Sequence, residues 1–409
     1  PTPFGNSPFS QPFQRKNQAP IPNSPPAGTS LAAVNKNPAE GLPRVVQYIA
    51  DYSGCGFWRL LWPESILNAH QKAISSSTSV MILQPDYYAG AKVIRIQRQA
   101  TPAQLQFVKF LKNEVCAKHG TRLIYEIDDV VFREDIPDYN KFKFAFEPDE
   151  IREATLEIMN LCDEITVTNE FMRDYYREKT GKREVTIIPN FTPKFWMGNF
   201  FNHKRVSDLF NKNRKRPRIL YAGSGAHFDV DNKVKQRDDF QHVIEAIIKS
   251  RKKYQWVFLG AFPPPLAPYV QNGDIEFHNW ERIYNYPQKI YDLGVQMSVA
   301  PLQDNNFNRS KSDLKMIEAG CYGIPIACQD MCTYKDAPAK FKTGDEMLEC
   351  IEKELSSASV YKEKAPGRYR KAAKRFLEND DNIDCYVDLF NLPYGDKDRK
   401  IISKWNNDI

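Results

Sequence analysis

Short apolar runs of strand length alternate with amphipathic stretches through most of the chain, and this alternation is what most limits its fold. Residues 44–50, 92–97 and 122–127 predict buried strands, and stretches with helical spacing of apolar residues separate them. The same alternation starts again at residue 218. Because strands that alternate with helices pair in parallel, the sequence predicts an α/β protein with two Rossmann-like domains.

Composition divides the 409 residues further. Ten of the 28 prolines lie before residue 44, where the first acidic residue is Glu40. We expect a disordered Pro-rich arm at 1–42, a first domain at 43–196, a basic linker at 197–217, a second domain at 218–375 and a C-terminal helix at 376–409. Pro-Phe recurs three times in the arm, which would allow docking on a protein partner, although a plain linker or tail explains the arm better.

Charge and cysteine content set broad limits on function. The net charge of +6 suits phosphate-rich ligands but is too small to indicate nucleic-acid binding by itself. The eight cysteines include no Cys-x-x-Cys pair, so we expect buried thiols in a cytoplasmic protein rather than a metal site. No apolar run approaches the roughly 20 residues that cross a bilayer, and no membrane span is predicted.

The most informative segment, residues 308–326, follows an apolar run at 295–302 that predicts a strand. Ser310, with Asp313 three residues later, predicts the start of a helix that ends before Gly323 and Pro325.

On that helix Lys311, Lys315 and Glu318 share one face, with Ser312 at its start. Backbone N–H groups and lysines at a helix N-terminus favour a diphosphate, and a deeper carboxylate can accept hydrogen bonds from a ribose diol. The face therefore predicts a nucleotide site, although a solvated charged face explains the spacing equally well.

Two acids, Asp128 and Asp129, follow the strand predicted at 122–127. The carboxyl ends of strands are where open α/β sheets bind ligands. Either acid can orient or deprotonate an acceptor hydroxyl, whereas capping a helix needs only one of them.

Two glycine-containing turns complete the candidate site. In the first, Gly54 and Gly56 allow close approach of a ligand to the backbone, and Arg59 is a candidate phosphate contact, with a tight turn and a surface arginine as the equal alternative. In the second, the turn from Gly223 through Ser224 and Gly225 to His227 follows a predicted strand, and its N–H groups can hold phosphate.

The segment 308–326 resembles the donor-binding motif of GT-B glycosyltransferases of the group 1, family 4-like type, in which Asn-x-x-Lys-Ser-x-x-Lys-x-x-Glu precedes Gly-x-Pro. The resemblance spans about residues 44–392 and implies a GT-B fold, two Rossmann-like domains facing across a cleft, with the last helix crossing back to the first domain. Many members have a second acid where this chain has Ser310. An Arg-x4-Lys pair frequent in the family's second glycine turn is also missing, and Lys233 and Lys235 are its candidate substitutes.

The resemblance implies transfer of a hexose or pentose from a nucleotide-sugar to a hydroxyl acceptor without a metal or other cofactor. Glu318 then holds the ribose, Lys311, Ser312 and the turn with His227 hold the diphosphate, and Lys315 assists its departure. Asp128 and Asp129 face the acceptor.

Two alternatives remain open from the sequence. One is a structural or binding protein that keeps the GT-B fold without catalysis, which the replacement of an acid by Ser310 favours. The other is a phage-type enzyme that glycosylates a hydroxyl of a DNA base in the host cytoplasm. The basic stretches at 204–218 and 368–375 favour DNA as the acceptor.

Overall fold

Two six-stranded parallel sheets form the framework of the molecule, as seen in a computed structural model that describes residues 41–210, 216–230, 238–392 and 394. The Pro-rich segment before residue 41 lies outside the described residues. Four further parts also lie outside the described residues: Lys233, Lys235, residues 211–215 of the basic linker, and the chain after 392 except residue 394.

The first sheet is built from β1 (Arg44–Tyr48), β2 (Ile74–Thr78), β3 (Ala91–Gln97), β4 (Arg122–Glu126), β5 (Glu164–Val167) and β6 (Val185–Ile187). Its strand order is β2-β1-β3-β4-β5-β6, and all neighbours are parallel. The edge strand β2 was not predicted, because its sequence Ile-Ser-Ser-Ser-Thr has almost no apolar signal.

The second sheet is built from β7 (Arg218–Gly223), β8 (Gln255–Gly260), β9 (Glu276–Asn279), β10 (Met297–Ala300), β11 (Ile326–Gln329) and β12 (Ala339–Phe341). Its order, β12-β11-β10-β7-β8-β9, is that of a Rossmann fold. The predicted α/β class with two Rossmann-like parallel sheets is confirmed.

Helices connect the strands and cover both faces of each sheet. Those of the first half are α1 (Gly54–Gly56), α2 (Trp62–Ala69), α3 (Pro102–Phe110), α4 (Ala117–His119), α5 (Asp149–Leu161), α6 (Glu170–Thr180), α7 (Lys194–Met197) and α8 (His203–Asp208). Those of the second half are α9 (Ile244–Ser250), α10 (Ala267–Gln271), α11 (Tyr286–Leu293), α12 (Asn306–Arg309), α13 (Leu314–Cys321), α14 (Gly344–Leu355), α15 (Ala358–Ala373) and α16 (Asp380–Asn391). A π-helical turn, Phe57–Leu61, joins α1 to α2.

The last described helix, α16, packs on the first sheet rather than on the second. Its buried Tyr386 and Leu389 join Val45 and Val93 in one apolar cluster. Part of the segment predicted as a linker is helical: α8 packs its Val206 against α15. The chain therefore forms the first sheet and then the second, and its last described helix packs again on the first sheet.

A buried carboxylate, Glu126 at the end of β4, is held between two arginines of the first domain. Arg59 Nε lies 2.6 Å from one Glu126 oxygen, and Arg95 pairs with the other. All three side chains are fully buried. The prediction that Arg59 contacts a phosphate is therefore wrong, because the π-helical turn directs it into the core, where Glu126 neutralises it.

We expect Glu126→Gln to lower the free energy of unfolding by roughly 3–5 kcal/mol, because it leaves two buried guanidinium charges without their counter-ion. Urea denaturation followed by circular dichroism measures this change. The matched control is Glu352→Gln, which breaks an ion pair whose side chains are 58% and 67% exposed and should shift the midpoint little. Equal midpoints for the two variants would contradict a structural role for the buried cluster.

Candidate active site

The candidate site lies where the strand order of the second sheet reverses. Strands β7 and β10 are neighbours in that sheet although two strands separate them in the chain. The loops that leave their carboxyl ends diverge, and such a switch point is where open α/β sheets form their ligand crevice. The turn 223–227 follows β7, and the segment 308–318 follows β10.

The segment after β10 forms two short helices instead of the single helix that was predicted. Asn305 caps α12 by accepting a hydrogen bond from the Asn308 N–H at 2.9 Å. Ser310 ends that helix, fully buried, with its hydroxyl donating to the Phe307 carbonyl at 2.6 Å. The next helix, α13, begins only at Leu314. Ser310 therefore starts no helix.

Lys311 consequently lies in the loop, not on the helical face that carries Lys315 and Glu318. Its Nζ lies 2.9 and 3.0 Å from the two oxygens of Asp129, which belongs to the first domain. Ser312 Oγ accepts a hydrogen bond from the Asn190 side-chain amide at 2.8 Å, again across the domains. This loop is thus fixed by polar contacts from the first domain.

Lys315 and Glu318 lie on successive turns of α13 and line one narrow pocket with Tyr286. Lys315 donates to the Ala222 carbonyl, so its ammonium group lies at the carboxyl end of β7. Glu318 accepts a hydrogen bond from the Tyr286 hydroxyl at 3.0 Å. Burial lowers the pKa of Lys315 and raises that of Glu318, although each charge favours the other. The pocket therefore places a basic and an acidic side chain next to each other.

The turn after β7 brings its groups to the same end of the sheet. A Cβ on Gly223 would lie 2.4 Å from the Tyr221 hydroxyl, so glycine is required there. Ser224 Oγ caps the short helical turn Gly225–His227 by accepting from the Ala226 N–H at 3.3 Å. His227 Nδ1 lies 2.7 Å from the carboxylate of Asp239. Burial lowers the pKa of His227 against the opposing effect of that carboxylate.

The two acids predicted on the acceptor side lie at the end of β4 and are both paired. Arg98 Nε donates to Asp128 at 2.7 Å, and Asp129 pairs with Lys311. Burial favours the neutral form of Asp128, but Arg98 and Arg59 outweigh it and hold the pKa of Asp128 below its ordinary value. Asp128 is therefore ionised at neutral pH.

In the first glycine turn, two backbone N–H groups are bound by a carboxylate of the chain itself. The Asp51 carboxylate accepts hydrogen bonds from the backbone N–H groups of Ser53 at 2.8 Å and Gly56 at 3.2 Å. A Cβ on Gly56 would lie 1.9 Å from the Asp51 carbonyl, whereas one on Gly54 would meet nothing. Gly56 is thus required by the turn itself, and the approach of a ligand to Gly54 and Gly56 stays a prediction.

Three residues of the site escaped the sequence reasoning. Arg98 has a φ of 49°, an uncommon conformation for a non-glycine residue, and directs its side chain to Asp128. Asp239 is fully buried and binds His227, and Tyr139 of the first domain donates to Asp239 at 2.9 Å. No local pattern marks them, since each is defined by a partner distant in sequence.

Two absences apply to the described part of the chain. Across residues 41–210, 216–230, 238–392 and 394, no three His, Cys, Asp or Glu side chains are grouped so as to hold a metal ion. None of the helices described there is both long and apolar enough to cross a bilayer.

Solved structures of similar architecture include several carbohydrate-processing proteins. TarM of S. aureus is 11% identical, with 73% of this chain and 55% of that chain covered at a TM-score of 0.47. The wall teichoic acid polymerase TagF is 11% identical, with 88% and 90% covered at 0.41. A UDP-glucosyltransferase from Polygonum tinctorium is 10% identical, with 86% and 99% covered at 0.41.

These likenesses concern architecture alone. The chain spans 55% of the length of TarM. No family model matches the sequence, and no curated protein matches it either. Whatever chemistry the site performs must therefore be argued from its own residues.

Glu318→Gln tests whether the pocket binds a nucleotide. The change keeps the side chain's shape but removes a charged acceptor, which is worth about 1.5–3 kcal/mol in a hydrogen bond. We expect nucleotide affinity to fall by that amount in isothermal calorimetry, with an unchanged melting temperature. The control is Glu363→Gln on the exposed face of α15. Equal nucleotide affinity in wild type and Glu318→Gln would remove Glu318 from the binding site.

Proposed function

We propose that the protein transfers a sugar from a nucleotide-sugar to a hydroxyl acceptor. The observation that carries this proposal is the meeting of Lys311, Lys315 and His227 at the switch point between β7 and β10. Glu318 lies one helical turn deeper than Lys315, and Asp128 and Asp129 face the site from the other domain.

The donor nucleotide fits this arrangement group by group. Glu318 accepts hydrogen bonds from the ribose diol, with Tyr286 holding the carboxylate in place. The diphosphate lies between the turn 223–225 and the start of α13, where Lys315 bridges the two by binding Ala222. Backbone N–H groups and the helix dipole add to the attraction for an anion.

Lys311 and Lys315 assist the departure of the nucleoside diphosphate. Negative charge grows on the diphosphate as the glycosidic bond breaks, and cations already in position stabilise the transition state more than the ground state. Lys315 is held by the Ala222 backbone carbonyl, whereas Lys311 is bound to the Asp129 side chain.

The Lys311–Asp129 ion pair links donor binding to acceptor activation. A bound diphosphate competes with Asp129 for Lys311, because both are anions. Once Lys311 turns to the diphosphate, Asp129 is left as a carboxylate near the cleft that can accept the proton of the acceptor hydroxyl. Asp128 stays bound to Arg98 and keeps the strand end in position.

A second candidate function is nucleotide-sugar binding without transfer. It is favoured by the same Lys311–Asp129 pair, in which the proposed cation and the proposed base bind each other. An assay that follows nucleotide release from a panel of nucleotide-sugars, with and without acceptor sugars, separates the two functions. Binding without release on any donor would favour the second.

The basic stretches give little support to DNA as the acceptor. In the stretch 368–375, Arg368 pairs with Glu354 and Arg375 with Asp313. In the stretch 204–218, Arg218 pairs with Glu276. These three arginines are therefore paired with acids of the second domain, while Arg370, Lys371 and Lys374 are exposed.

Lys315→Ala should lower turnover by about 100-fold while donor affinity falls less, because Lys315 acts mainly on the departing diphosphate. Lys311→Ala should mainly weaken donor binding. Steady-state kinetics with the donor found in the panel measures both. Lys362→Ala, on the exposed face of α15, is the matched control and should retain full activity. Full activity of a folded Lys315→Ala enzyme would falsify the role of this lysine.

A further inference from the structure

Asp239 lies at the centre of a buried hydrogen-bond cluster that the transfer mechanism above leaves unused. One of its oxygens accepts from the Gln303 N–H at 2.8 Å, the Asn308 amide at 2.5 Å and the Tyr139 hydroxyl at 2.9 Å. The other oxygen faces His227 Nδ1 at 2.7 Å. The carboxylate is fully buried, so all its partners come from the protein around it.

These partners come from three separate parts of the fold. His227 belongs to the turn after β7, whereas Gln303 and Asn308 belong to the loop after β10. Tyr139 belongs to the loop after β4 in the first domain, and it is 2% exposed. Its hydroxyl also accepts from the side-chain amides of Asn305 at 3.0 Å and Asn308 at 3.1 Å. Asp239 thus joins both sides of the switch point to the opposite domain.

The hydrogen bond to Asp239 determines which ring nitrogen of His227 bears the hydrogen. An ionised carboxylate only accepts hydrogen bonds, so the ring nitrogen that faces Asp239 must bear the hydrogen. In a neutral imidazole the other nitrogen, Nε2, is then a bare acceptor. The charged groups that act on this ring are Asp239, Lys311 and Lys315, and both lysines favour the neutral form.

A bare Nε2 suits a hydroxyl group and not a diphosphate oxygen, which offers no hydrogen. This differs from the sequence-based expectation that His227 binds the diphosphate. Lys311 and Lys315 already supply positive charge for a diphosphate. Among the described residues of the site, no other neutral nitrogen acceptor is oriented by a carboxylate as His227 is.

We propose that Asp239 is a positioning residue: it holds His227 with Nδ1–H toward itself and Nε2 ready to accept a hydrogen from a substrate hydroxyl, an arrangement completed by Tyr139 of the first domain. The inference rests on the proposed transfer function for its kinetic consequence. The orientation of the ring can be tested without turnover.

The structural test uses the full chain labelled with ¹⁵N-histidine. The chain has six histidines, and the spectrum of His227→Gln identifies the resonances of His227. We expect the Nδ1–H tautomer in wild type, a mixture of tautomers in Asp239→Asn, and a partial change in Tyr139→Phe. Tyr361→Phe is the control, because it removes another buried hydroxyl, one that donates to the Gln296 carbonyl at 2.6 Å away from this cluster. It should leave His227 unchanged.

The kinetic test compares the same variants on the donor identified in the panel. Asp239→Asn should lower kcat by about 100-fold, the lower range of what one acid–base group contributes, with a small change in the donor KM. It should also displace the acidic limb of the kcat pH profile, which a merely structural defect would not move. Tyr139→Phe should show the same pattern more weakly, and it serves if Asp239→Asn does not fold.

Two results would overturn the inference. One is an Nε2–H tautomer in the wild-type protein. The other is a folded Asp239→Asn or Tyr139→Phe variant with an unchanged tautomer and unchanged pH profile. If the wild type turns over no donor, the proposed function fails, and the tautomer measurement alone decides whether Asp239 positions His227.

Discussion

The buried Glu126 carboxylate sets the geometry on which much of the molecule depends. Two arginines neutralise it, and because a buried charge without a partner costs several kcal/mol, neither can leave. Arg59 Nη1 then donates to the Ile188 carbonyl at 2.7 Å and to Asn190 Oδ1 at 2.9 Å. Asn190 in turn donates to Ser312 in the other domain. The core charge of the first domain is therefore connected, in three steps, to the loop proposed to hold the diphosphate.

An aromatic contact forms the apolar part of the domain interface. Trp62 from the first domain lies 4.4 Å from Trp196 between ring centroids, and Trp196 stacks on Tyr286 at 6.1 Å. Tyr286 is the residue that holds Glu318. Rings packed in this way resist separation because their apolar surfaces would be exposed to water. The domains are also joined by polar contacts, the Asp129–Lys311 ion pair and the buried hydrogen bond from Tyr139 to Asp239.

The sequence predicted the elements whose signal is local. Strands buried on both faces are nearly continuous apolar runs, so β1, β3 and β4 were found, whereas the serine-rich edge strand β2 was not. The start of α13 was placed four residues early. Ser310 with Asp313 fits a capping pattern, but Asn305 caps the separate helix α12 and Ser310 lies at the end of that helix. Local signals of this kind cannot show which of two competing caps wins.

The candidate site was predictable only where the residues that act together are also close in sequence. Lys315 and Glu318 are one turn apart on a helix, so their proximity follows from spacing alone. The direction of Arg59 depends on Glu126, which is 67 residues away, and the role of Asp239 depends on Tyr139, 100 residues away in another domain.

The pairing of the lysines in the cleft follows from the cost of burying charge. A cation in a half-buried crevice is costly to leave without polar partners. Asp129 is the anionic partner of Lys311, whereas Lys315 donates to the neutral Ala222 carbonyl and has the Glu318 carboxyl as its nearby acidic group. Because Asp129 belongs to the opposite domain, a diphosphate that bound Lys311 would replace a contact between the domains. Under the proposed function, that exchange would leave the Asp129 carboxylate available on the acceptor side.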